Sequence, residues 1–442
     1  MIKKYLYPSL LVLFVALGAL IFFFGKRQVA PPFQERNQEI SAASEWLNTK
    51  AAFEGLQTAI RSNPNNLKAK VRLAQAYIQE GRVTGNHTYY DQAALKLLNE
   101  VLRKESNHFD ALCSKSIVYL SQHHFAEAIE IANQAKKLYA HNAFVHGLLV
   151  DGYVEIGDYD QAVEMAEKMI SIRPDIRSYA RVSYLREIHG DYPGAIEAMD
   201  MAVKAGYPGL EQTAWVQVKL GELYEHTGEL KKAAEIYQAT LSDRPNYAYA
   251  LAGLGRIEKA KKNYPKAIQY LEQARRTVTD FSFADEITDV YLLTNEAAKA
   301  RKSALAVIEE LSGKEHLGSE EDGTGHYADR ELAYAYLKTQ DYDQALKHAR
   351  IEYERRPHNI DVNETLAWVH YKRGSYQEAD KYMSVALRTN SQNAVLLYRA
   401  GLIQLKNGQT ESGLSLLKKA TAINPYLPGD LIGEGQSYLA VN

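Results

Sequence analysis

An aromatic or other large residue, followed three positions later by a small one, recurs down this chain at a near-constant interval. The pairs are Tyr90/Ala93, Phe125/Ala128, Tyr159/Ala162, Tyr192/Ala195, Leu230/Ala233, Tyr264/Ala267, Ala297/Ala300, Tyr342/Ala345, Tyr376/Ala379 and Thr410/Gly413. Successive pairs lie 33 to 35 residues apart, except for steps of 38 after Tyr192 and 45 after Ala297. A fixed period of this length is the mark of a repeat architecture, in which each unit buries its apolar face only against its neighbours. The grammar of one unit is clearest from Ala143 to Asp175: an amphipathic run holding Tyr153, the turn Gly157-Asp158-Tyr159, then a second run from Gln161 that stops at Pro174. Gly157 supplies the positive φ of a tight helix C-terminus, and Pro174 lacks the N–H needed to extend the second helix. Ala162 falls where the two helices cross, because a small side chain permits a short interaxial distance. The chain is therefore expected to be all-α, a solenoid of helix-turn-helix units.

Small residues also fall on one first-helix position at Ala74, Gly221, Gly255, Ala367 and Gly401, and Tyr77, Tyr119, Tyr153, Tyr224 and Tyr291 recur near the first-helix ends. At these positions, and at Pro64, Pro174, Pro245, Pro357 and Pro425, the chain resembles the tetratricopeptide repeat (TPR) family. The resemblance covers residues 33–426, about ten units with the first one partial, and implies a right-handed superhelix. Its departures are the segments Gly206–Gly209 and Ser312–Gly325, expected as loops between units, and Val83–Tyr89, an insertion between the helices of one unit. Arg36, Glu39 and Ala43 make a poor opening helix for the first unit. Residues 427–442 form a short cap, in which Gly429, Gly433 and Gly435 disfavour a helix.

One segment breaks the pattern. Tyr5 to Phe24 carries no charge over twenty residues, enough for a helix of about 30 Å, and is expected to be a transmembrane anchor within residues 1–30. A cleaved secretory signal is the rival reading, disfavoured because Gly25, Lys26 and Arg27 follow the run and no small-x-small site is convincing. Acylation is set aside because the one cysteine is Cys113. Lys3 and Lys4 oppose Lys26 and Arg27 almost evenly; the short tail favours a cytoplasmic N-terminus with the solenoid on the extracytoplasmic side. Pro31-Pro32 is expected to act as a stiff spacer.

The 52 basic and 54 acidic residues leave a formal charge of −2, so no positive field draws nucleic acid. A lone Cys113 on a first helix reads as a small buried residue, and His123-His124 read as solvated turn residues. The run Lys314–His326 is rich in oxygens and imidazoles but lacks the spacing of an EF-hand, and reads as a solvated charge run. With no Gly-x-Ser-x-Gly, P-loop or His-Glu-x-x-His pattern in the chain, neither enzyme, cofactor nor metal is expected.

The resemblance places function on the concave surface lined by first helices. One equivalent position per unit falls on Asp151, Tyr184, Glu222, Arg256, Asp289, Tyr334 and Trp368, a heterogeneous set without the family's carboxylate clamp or asparagine ladder. In the last three units Tyr327, Arg330, Tyr334, Lys338, Trp368, Tyr371, Lys372 and Tyr398 form a candidate groove for a protein or peptide segment, joining aromatic area to cations. The same spacing is what rings packed between units produce. The leading expectation is a non-catalytic, membrane-tethered scaffold of a bacterial envelope; the alternatives are a carbohydrate or small-ligand binder using the aromatic groove, and a cytoplasmic-facing assembly factor.

Overall fold

The computed structural model describes residues 30–37, 39–40, 44–315 and 325–440, together with Phe14. Among these, 22 helices and no strands are found. A first helix, α1 (Ser44–Ser62), precedes ten hairpins, numbered here as units 1 to 10. They are α2 (Leu67–Thr84) with α3 (His87–Lys104), α4 (Phe109–Ser121) with α5 (Phe125–Leu138), α6 (Ala143–Ile156) with α7 (Tyr159–Ile172), α8 (Ile176–Ile188) with α9 (Tyr192–Lys204), and α10 (Glu211–His226) with α11 (Leu230–Asp243). There follow α12 (Ala248–Ala260) with α13 (Tyr264–Thr277), α14 (Phe281–Leu293) with α15 (Ala297–Glu315), α16 (Asp329–Lys338) with α17 (Tyr342–Arg355), α18 (Ile360–Lys372) with α19 (Tyr376–Ala386), and α20 (Ala394–Lys406) with α21 (Thr410–Ile423). A last helix, α22 (Gly429–Ala440), closes the stack.

The local causes are those expected from the repeat grammar. In unit 3 the Asn142 side chain accepts from the Phe144 N–H and opens α6, Gly157 ends it at φ +84°, and Asp158 accepts from the Gln161 N–H to open α7. Ala162 is fully buried at the crossing. The insertion at Val83–Tyr89 is absorbed by helix lengthening, so that α2 and α3 have 18 residues each. The Gly206–Gly209 insertion is a loop between α9 and α10, as expected. The loop expected from Ser312 starts later, because α15 continues to Glu315; residues 316–324 lie outside the described residues. The cap is helical despite its glycines. Leu427 and Leu431 are buried, and Gly435 lets the α22 backbone lie against the Tyr398 hydroxyl, where a Cβ has no room. Packing therefore outweighs the glycine penalty of about 1 kcal/mol per position.

Between Ala30 and α1 the described residues hold no helix, where a poor opening helix is expected for the partial first unit; residues 31–37 carry no regular structure. The segment beginning at Ala30 instead caps the stack. Phe33 packs on Trp46, Phe53 and Tyr90, the Tyr77 and Tyr89 hydroxyls donate to the Pro31 and Pro32 carbonyls, and Arg36 forms a buried pair with Glu80 at 2.6 Å. The Pro31-Pro32 step is thus docked on the solenoid, a correction to its reading as a stiff spacer standing between anchor and array. The expected anchor, Tyr5 to Phe24, lies outside the described residues apart from Phe14. Among the described residues no helix is long and apolar enough to cross a membrane.

The solenoid coils back on itself. The turn inside a unit meets the loop that leads into the unit six places later; most side-chain bridges join residues 199 to 205 positions apart, and Arg388 reaches across 231. Thr279 N donates to Thr84 O, Tyr327 N to Gln122 O, and Asn424 Nδ2 to Glu225 O at 3.0 Å. At the third turn, Asn359 Nδ2 donates to Val154 O and Glu155 O, Arg356 pairs with Glu155 at 2.5 Å, and Arg388 donates to Gly157 O at 2.6 Å. The acceptors are last-turn carbonyls of first helices and the residues just beyond them, groups that lack a partner within their own helix. Gly85 and Gly157 have no room for a Cβ, since the Thr279 and His358 carbonyls occupy it. Gly374, in the turn of unit 9, also has positive φ but faces open space. Gly157→Ala therefore carries both the left-handed backbone penalty and a clash, and should destabilise the protein by more than Gly374→Ala, which carries only the backbone penalty of about 1–2 kcal/mol. Equal losses in denaturant melts would count against the seam.

Candidate functional site

Facing positions on successive first helices, most of them about 30 residues apart, bring opposite charges together, so that these pairs form a ladder. Arg181 of α8 pairs with Asp151 of α6 at 2.5 Å. Arg256 of α12 lies between Glu225 of α10 at 2.9 Å and Glu286 of α14 at 3.3 Å, and Lys259 adds Glu286 at 3.1 Å. Lys338 of α16 holds both Asp285 (2.8 Å) and Asp289 (2.5 Å) of α14, and Arg399 of α20 holds Glu364 of α18 at 2.6 Å. Most of these side chains are partly exposed, which moderates their contribution to stability. Their titration still records the field. Burial would raise Glu222, yet Lys219 and Arg256 bring it down to about 2. Burial disfavours charge on Lys338, but Asp289 and Asp285 outweigh it and raise its pKa; Asp289 is held below the usual range, whereas burial dominates at Asp285 and raises it.

The seam adds a second wall to this inner surface. Between consecutive superhelical turns lies a cavity of ≈ 360 Å³, lined on one side by Tyr184, Glu187, Ile188 and Tyr192, and on the other by Arg330, Tyr334, Asp361, Glu364 and Arg399, with residues at the start of α18 and α20 completing it. Tyr184 is 41% exposed. Glu187 bonds His226 Nδ1 at 2.8 Å. Burial opposes the charged imidazole, but Glu187 with Glu222 and Glu225 overcomes it and raises the His226 pKa.

The eight candidate groove residues do not form one open surface. Trp368 is 5% exposed, Tyr371 is buried and Tyr398 is 0% exposed, all in the C-terminal core. Trp368 stacks on Tyr371 at 4.7 Å, with Arg399 and Lys372 each 4.7 Å from its ring. Tyr398 donates to Ile432 O of the cap, and Lys372 pairs with Glu434 there. Their aromatic spacing serves packing, which corrects their placement on an accessible groove. Tyr327 belongs to the seam, its ring 4.0 Å from His124 and 3.8 Å from the Arg355 guanidinium. Lys338 is held by its two aspartates. Arg330 and Tyr334 alone of the eight line the cavity.

The histidine pair also differs from expectation. His124 is buried, His123 takes φ +63° in the turn, and their rings reach Gly325 O at 2.6 Å and Tyr327 O at 2.7 Å, so both serve the seam. Cys113 is buried as expected, and burial pushes its thiol up to about 12. Asp361, Glu364 and Arg399 were not singled out in sequence. They sit among the ladder registers of α18 and α20, but only the superhelical pitch, which no local pattern reports, brings them opposite Tyr184.

Family models described as tetratricopeptide repeat match residues 146–176, 183–248, 218–280 and 330–394. The described residues form an all-helical solenoid that carries tetratricopeptide repeats. It is 21% identical over 370 residues to a TPR repeat-containing protein of Methanocaldococcus jannaschii, an alignment covering 82% of this chain and 53% of that relative, so the chain spans about half of its length. Over 164 residues it is 23% identical to the formate-dependent nitrite reductase complex subunit NrfG of Escherichia coli O157:H7, covering 37% of this chain and 80% of the relative. Among solved structures, a tetratricopeptide repeat protein from Parabacteroides merdae covers 55% of this chain and 92% of its own at TM-score 0.43 and 14% identity.

Two outcomes follow. Trp368→Ala should lower stability by about 3–5 kcal/mol, as for other buried Trp truncations, read as a fall in melting temperature with disorder in the C-terminal units; an unchanged melt would return Trp368 to the surface. For His226, a raised folded pKa means that its pairing with Glu187 stabilises fully below the unfolded value of about 6.5 and fades as pH rises through the folded value. The stability gap between wild type and Glu187→Gln should therefore narrow from pH 6 to pH 9, and His226 should titrate lower in the variant by NMR.

Proposed function

We propose that the protein is a non-catalytic scaffold that holds a segment of a protein partner against its inner wall, tethered through Tyr5–Phe24 at a bacterial cell envelope with the solenoid on the extracytoplasmic side. The observation that supports this most is the first-helix charge ladder. It presents alternating, partly exposed acids and bases along one continuous face, a surface suited to reading an extended polar segment by charge register. Recognition is assigned to the open members of that face, including Asp151, Tyr184, Asp289, Arg330 and Tyr334, in place of the buried Trp368 cluster. The docked Ala30–Asn37 segment ties the tether closely to the solenoid, which favours holding a partner at a fixed distance from the bilayer.

In-cell photo-crosslinking of the full chain tests this. A benzophenone side chain at Asp151 on the inner wall should yield a discrete protein adduct, and one at Tyr207, on the exposed inter-unit loop, should not. The full chain should need detergent for extraction, whereas a chain lacking residues 1–29 should not. Adducts from Tyr207 alone, or release of the full chain by salt, would contradict the reading.

A further inference from the structure

The cavity between consecutive superhelical turns has a charge pattern that the rest of the ladder does not share. Five of its lining residues are acids or arginines. Three are committed to ion pairs: Glu187 with His226 at 2.8 Å, and Glu364 with Arg399 at 2.6 Å. Tyr334 joins the second pair, its hydroxyl 2.9 Å from an Arg399 nitrogen. The other two, Arg330 and Asp361, face the same space, yet neither side chain has a hydrogen bond or ion pair with any described residue; Arg330 stands over the Tyr334 ring at 5.6 Å, and its Nε is buried without a partner. A part-buried guanidinium and a part-buried carboxylate, neither directly paired, face one cavity and each gains from an oppositely charged group placed between them.

We infer that this cavity binds a small dipolar molecule of the size of a free amino acid, its carboxylate taken by Arg330 and its ammonium by Asp361. The charge count selects this class. An anion alone would satisfy Arg330 but meet three carboxylates, and a cation alone would satisfy Asp361 but meet two guanidiniums. Ile188, Ile360, Val395 and Leu396 supply an apolar lining beside the tyrosines, which suits an aliphatic or aromatic side chain. A volume of ≈ 360 Å³ falls at the small end of ligand sites, which run from roughly 300 to 1,000 Å³. Burial raises the Asp361 carboxyl, against the partial opposition of Arg330, as expected for an acid awaiting a cation. The walls come from α8 and α9 on one turn and α16, α18 and α20 on the next, so the ligand would also bridge the seam. The cavity shares Tyr184, Arg330 and Tyr334 with the inner wall assigned to the protein partner, but the inference does not rest on that reading: calorimetry reads the free amino acid and the crosslink at Asp151 reads the partner, so each can fail without the other.

Isothermal titration calorimetry on the full chain in mild detergent tests it, with glycine, L-leucine and L-phenylalanine as probes, and N-acetyl-L-phenylalanine and L-phenylalanine methyl ester as analogues lacking one charge. L-Leucine or L-phenylalanine should bind more tightly than glycine, and both analogues should bind at least about tenfold more weakly, the scale of one lost charged hydrogen bond. Arg330→Gln and Asp361→Asn should each weaken the zwitterion to a similar degree while keeping the ligand-free helical content; if one variant fails to fold, the other decides. Equal binding of either analogue, unchanged affinity in a folded variant, or no heat from any of the three amino acids would overturn the proposal.

Discussion

Carbonyl groups at the C-terminus of an α-helix have no partner within the helix, and in this protein many of those on the first helices find one in the next superhelical turn. Val154 and Glu155 are met by Asn359, Gly157 by Arg388, Thr84 by Thr279, Gln122 by Tyr327 and Glu225 by Asn424. Arg388 is one of these donors and Arg356 also donates to Glu155 O at 3.3 Å, so two arginines answer the negative end of the α6 dipole. A solenoid of this kind can in principle be an open spring, since each unit needs only its neighbours. Here the turn-to-turn bonds fix the pitch, and the inner wall, the cavity and the docking of the N-terminal segment all depend on that pitch.

The fixed pitch changes what the inner surface can do. Aromatics that would project from an open groove are drawn into the core, as Trp368, Tyr371 and Tyr398 are by the cap. Ionic groups remain on the wall because each finds an opposite charge one unit away. Arg330 and Asp361 are exceptions, and they sit where two turns face each other, so that the feature least explained by folding coincides with a cavity of a size to hold a small ligand.

Much of this was legible in the sequence. The large-x-x-small beat located all ten second helices, and the glycine and proline punctuation located their ends, because both report short-range geometry repeated in phase. Tyr184, Asp289 and Tyr334 were placed on one face for the same reason. The C-terminal cap was misread, since glycine propensity is local and the contact of Gly435 with Tyr398 is not. His123 and His124 were misread as solvated because their partners, Tyr327 and Gly325, lie about 200 residues away. A contact of that range depends on small rotations summed over six units, which no single unit's residues encode visibly.

Closure of the superhelix is the central claim, and electron paramagnetic resonance of a doubly spin-labelled chain tests it most directly. Labels at the exposed positions Asp160 and His358 flank the third seam contact, and the buried Cys113, with its elevated pKa, should stay unlabelled. Closed turns predict strong dipolar coupling with a short, narrow distance distribution, lost on substituting Arg356 and Asn359 by alanine. A broad distribution at long distance in the unaltered chain, unaffected by those substitutions, would show an open solenoid and contradict the account.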